Sequence, residues 1–150
     1  MKAEFYGDFT DRNKCIFEFE NVYLTSEEYL NLCARFDNSK LGEIPNGGED
    51  YNYKQYLKAK EAILKHKEDK ILFAEYYHES YEGTAFVLFK KDGKLYEIHA
   101  RHCSCYGLED QWNPEETSIK ALKDRLKNRS SWSMCPSNEF ALWLGSRKKL

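Results

Sequence analysis

A chain of 150 residues, 41% hydrophobic and 32% charged, is long enough to bury a core of its own and predicts one domain over 1–150 without a disulfide scaffold. Its 23 basic and 25 acidic side chains leave a net charge of −2, which excludes a strongly basic nucleic-acid binder and an acidic nucleic-acid mimic alike. Five cysteines, an odd count, with no signal-peptide run and no long apolar segment, predict a cytoplasmic protein with reduced thiols and no membrane contact.

In chain order, "KAEFYGDF" and "KCIFEFENVYL" flank the turn-rich "TDRN", and Cys15, Phe17 and Phe19 recur at period two, so an N-terminal β-hairpin is expected. "TSEE" places Thr25 as a helix cap with Glu28 three residues on, predicting a helix to about Arg35. "DNSKLGEIPNGGEDY" collects Gly, Asn, Asp and Pro45 and reads as a surface loop. A second helix follows in "YNYKQYLKAKEAILKHKED", with Tyr53, Tyr56, Leu57, Ile63 and Leu64 as its buried stripe and lysines on the solvated side.

From Ile71 to about His102 the pattern is a three-stranded antiparallel meander. Asp92-Gly93 predicts a type I′ turn, because both central residues need positive φ, and that turn dictates a register. Phe89 then faces Tyr96, Val87 faces Ile98 and Ala85 faces Ala100 on an apolar face. The opposite face pairs Lys90 with Leu95, Leu88 with Glu97, Phe86 with His99 and Thr84 with Arg101. Further on, Asn113 and Pro114 predict the start of a helix buried through Ile119, Leu122 and Leu126. "NEFALWLGS" forms a last amphipathic turn or two before the basic tail "RKKL". The expected architecture is a single α+β domain, its antiparallel sheet packed on several helices.

Chemical density peaks in "HARHCSCYGLEDQWNPEET", from His99 to Thr117. Zinc would draw on Cys103 and Cys105 with His102 or His99, since thiolate and imidazole suit that ion, and its fourth ligand would have to come from Cys135 or His78, neither of which has a partner at motif spacing. One intervening residue on an extended chain, however, sets the two thiols about 7 Å apart, at the limit of a tetrahedral site. A thiol nucleophile would be Cys105 meeting His99 across the strand end, with Glu109 or Asp110 orienting the imidazole, or Cys103, whose neighbour His102 points to the opposite face. In the structural reading Cys103 and Cys105 are small packed residues and Gly107 turns the backbone left-handed. Phe86, Arg101, Tyr106, Glu109, Gln111 and Trp112 then form a polar-aromatic recognition surface. The same register puts His99 and His102 on opposite faces of their strand.

"DGKLYE" followed by "HCSCYGLEDQWNPEET", across roughly residues 72–122, resembles a box found in small uncharacterised proteins encoded in phage and prophage genomes. The resemblance implies an accessory protein acting in host cytoplasm. The expected function is non-enzymatic: binding and modulating a host protein, with self-association into a homodimer through an aromatic face. The enzymatic alternative is a thiol- or zinc-dependent hydrolase or transferase centred on His99, Cys103, Cys105 and Glu109. The third is nucleic-acid binding by the helix from Lys54 to Lys67. No cofactor is expected apart from zinc in the enzymatic alternative.

Overall fold

The computed structural model describes residues 2–22, 51–79, 81–103, 107–128 and 137–147. The helix expected from Thr25 to Arg35, the loop after it, and Cys105, Tyr106 and Cys135 lie outside the described residues. Five strands, β1 (Glu4–Gly7), β2 (Lys70–Glu79), β3 (Glu82–Lys91), β4 (Lys94–His102) and β5 (Glu115–Thr117), form one sheet in the order β1-β2-β3-β4-β5. β1 runs parallel to β2, and every other pairing is antiparallel. Four helices complete the single α+β domain among these residues: α1 (Arg12–Phe19), α2 (Tyr51–Lys65), α3 (Ile119–Asn128) and α4 (Asn138–Gly145).

The β3–β4 register is the expected one at all seven positions, from Lys90 opposite Leu95 to Thr84 opposite Arg101. Asp92 and Gly93 hold φ of 52° and 77°, the geometry a type I′ turn requires. Ala74, Tyr76, Ala85, Val87, Phe89, Ile98 and Ala100 face α1 and α2. The other sheet face is not an open polar-aromatic surface. Phe73, Phe86 and Leu88 are fully buried there beneath Leu122 of α3 and Phe140, Trp143 and Leu144 of α4, so the sheet sits between two helical layers. An irregularity between Ile71 and Phe73 helps this, because it lets Leu72 and Phe73 both join the second layer.

Three local readings are corrected. The segment after "TDR" is α1, not the second strand of a hairpin. Asp11 accepts from the Lys14 amide as its N-cap, Lys14 pairs with Glu18 at i,i+4, and Cys15, Ile16, Phe17 and Phe19 are all buried. In α2 the described side chains turned inward include Gln55, Ala59, Ala62 and, just past the last turn, His66; Ile63 packs on the core as expected, Leu57 and Leu64 are exposed, and the side chains of Tyr53 and Tyr56 lie outside those described. The alanines bring the helix close to the sheet. Finally, Asn113-Pro114 does not open a helix: Glu115–Thr117 pairs with Leu95–Glu97 as β5. α3 begins at Ile119, five residues after Pro114, with the Ser118 hydroxyl accepting from the Ala121 amide.

Candidate functional site

The most elaborate polar arrangement lies where α2 ends against the β3–β4 turn. His66, just past the helix, is buried, with Nδ1 2.8 Å from Asp69 Oδ2 and Nε2 2.7 Å from Glu20 Oε1. The two carboxylates hold the ring between them, one at each nitrogen. The Arg12 guanidinium donates to the backbone carbonyls of His66 and Asp69, closing the end of α2 onto α1. Burial alone would raise the Glu20 carboxyl, but hydrogen bonds from His66 and Lys65 outweigh it and hold the group below its ordinary value.

This network backs an open cleft of about 400 Å³ lined by Lys65, His66, Asp69, Phe89, Lys91, Asp92, Tyr96, Trp112 and Pro114. Its apolar wall is a continuous aromatic stack. Phe89 lies between Tyr96 and Trp112, at centroid distances of 5.4 Å and 5.3 Å, and Trp112 meets His66 edge-on at 4.5 Å. Lys65 and Lys91 stand at the rim with side chains 63% and 45% exposed. Both carry carboxylate partners, Glu20 at 2.9 Å and Asp69 at 3.7 Å.

Of the residues singled out in the sequence, Trp112 belongs to this cleft and the others scatter. Phe86 is fully buried under α4, so it is not a surface contact. Glu109 accepts from the Gly107 amide at 3.0 Å, and Gln111 donates to the Gly107 carbonyl while its own oxygen accepts from the Arg101 amide. These two side chains shape the loop and tie it to β4. The left-handed residue in that loop is Asp110, with φ 62°, rather than Gly107. Arg101 and Cys103 are exposed.

His99 points to the α3 side, where its Nε2 lies 2.7 Å from Glu97 Oε1, and does not meet Glu109. Arg125 of α3 makes a two-pronged ion pair with the same buried carboxylate. Burial works to raise Glu97, yet hydrogen bonds from His99, Arg125 and Thr117 prevail and bring it down to about 2. His102 projects to the α1 side, where its Nε2 is 2.5 Å from the Tyr76 hydroxyl. His99 and His102 therefore lie on opposite faces, as the register requires. Among the described residues no three His, Cys, Asp or Glu side chains are grouped to hold a metal ion, and no helix is long and apolar enough to cross a membrane.

His66, Glu20, Asp69 and Arg12 were missed in the sequence. The available signal was "HKED", a histidine and an aspartate three apart at the end of a helix. Nothing marked Glu20 as their third member. In comparisons with known proteins, no family model, no curated protein and no solved structure matches this chain.

Proposed function

We propose that the protein acts by binding a partner protein, and that the Trp112 cleft anchors one side chain of that partner. The observation supporting this is the stack of Tyr96, Phe89 and Trp112, held from behind by the His66 network and flanked by the exposed side chains of Lys65 and Lys91. A rigid aromatic wall with charges at its rim is how interfaces seat an anchor residue, and a cleft of this volume holds one large side chain. The lysines favour an anchor accompanied by a carboxylate. In the phage setting implied by the "HCSCYGLE" box, the partner is a host protein and its activity is modulated by occupancy.

The test is affinity capture from host lysate with the tagged chain, followed by measurement of the captured protein's affinity for Lys91→Glu and Tyr96→Ala variants. Both variants are expected to weaken binding at least tenfold with unchanged circular dichroism. Undiminished affinity in both, failure to recover a stoichiometric partner, or binding to single-stranded nucleic acid that falls steeply with salt would overturn the reading.

A further inference from the structure

The end of the meander away from the Asp92-Gly93 turn carries a second constellation, separate from the cleft. His78 on β2, Gly83 on β3 and His102 on β4 stand directly across from one another. Two strands apart, their backbones are about 10 Å distant. With no side chain at Gly83 the imidazoles lean together over the middle strand, and their ring centres are only 5.2 Å apart. A Cβ on Gly83 would collide with His102 Nε2 and Tyr76 Cε1, so the glycine is what leaves room for the pair.

His102 is also oriented. Its Nδ1 lies 3.0 Å from the Cys103 carbonyl, which accepts, and its Nε2 is turned toward the Tyr76 hydroxyl. A backbone carbonyl fixing the far nitrogen is the usual support of a metal-ligating histidine. Two imidazoles sharing a tetrahedral ion at metal–nitrogen distances of about 2 Å have ring centres roughly 5 Å apart, which this pair matches. His78 is exposed and His102 partly so, leaving the approach open to solvent.

We propose that His78 and His102, converging over Gly83, form a binding site for a divalent transition-metal ion of the imidazole-preferring class, zinc or nickel, with water completing the coordination. An ion at Nε2 takes the place of the Tyr76 hydroxyl there. The site draws on neither Cys103 nor Cys105.

The experiment is titration of the purified full chain with Zn(II) and, separately, Ni(II) by calorimetry, alongside ring-resonance NMR of the four histidines. A Cys103→Ser, Cys105→Ser double variant separates imidazole from thiolate binding. One ion per chain is expected in the wild type and in the double variant, with the His78 and His102 resonances shifting and those of His66 and His99, held by carboxylates, unmoved. His78→Gln, at an exposed position that leaves the fold intact, is expected to weaken binding at least tenfold, as is Gly83→Ala. No binding by the wild type, binding abolished in the double serine variant, or affinity unchanged in His78→Gln would each overturn the proposal.

Discussion

Glu97 is ionised inside an apolar layer because three donors converge on it, and this makes its contribution to stability depend on pH in a definite sense. Its carboxyl lies at about 2 in the folded chain against an ordinary 4.5. The folded state therefore binds this proton less readily than the unfolded one. The stabilisation is complete above about 4.5 and is lost as pH falls through about 2. Glu97→Gln should lower the melting temperature at neutral pH and flatten its decline across that acid window, as thermal denaturation at a series of pH values would show. His66 sets up a different loss. Removing the imidazole by His66→Ala leaves Asp69 and Glu20 facing each other without the donor between them, at a cost of about 3 kcal/mol by urea denaturation. Cys15 will not report on either change: burial pushes its thiol well above the ordinary range and keeps it unreactive.

At the scale of elements, the turns and caps make separable predictions. Gly93 has φ 77° and open space around a would-be Cβ, so Gly93→Ala should cost only the backbone penalty, about 1 kcal/mol. Gly7, with φ 69°, sits against the Tyr76 carbonyl, and Gly7→Ala should cost more than Gly93→Ala because a steric clash adds to the same backbone strain. Ser118→Ala removes the α3 cap and should cost about 1 kcal/mol. Urea midpoints of the three variants would establish the order.

These same elements show what was legible in the sequence. The meander and its register were readable because a two-residue turn allows only one pairing of its flanks. α1 was not, since Cys15, Phe17 and Phe19 alternate as a strand would, and a helix buried nearly all round loses the amphipathic signature that would distinguish it. β5 was not, because "EET" has no strand pattern of its own and is extended only through its pairing with β4. The α2 stripe holds at Ile63 but not at Leu57 and Leu64, because close packing on the sheet selects Ala59 and Ala62 instead of the large leucines. The cleft escaped because Glu20 meets His66 across a long stretch of chain, a contact that no local spacing encodes.

For the whole molecule, the sheet is the shared wall of two apolar layers, and each layer should be sensitive to its own truncations. Phe140 is fully buried and packs on Phe73, Phe86 and Trp143, so Phe140→Ala is expected to cost about 3–5 kcal/mol in chemical denaturation. The strands should also differ. β3 is flanked along its length by β2 and β4, while β1 is a short strand that, among the described residues, pairs only with β2, through residues remote in sequence. Hydrogen exchange should therefore release the amides of β1 well before those of β3, which open only with global unfolding.

The placement of two indoles carries a practical consequence. Trp112 lies in the α1 and α2 layer against Phe19 and His66. Trp143 lies in the opposite layer under the Arg147 guanidinium, and its Nε1 is the one buried side-chain polar atom without a hydrogen-bond partner among the described residues. The protein thus carries a native fluorophore on each side of its sheet. With Trp132 and either one of these replaced by phenylalanine, the remaining emission would follow one side alone, and a single sample series could time the melting of each layer against the other.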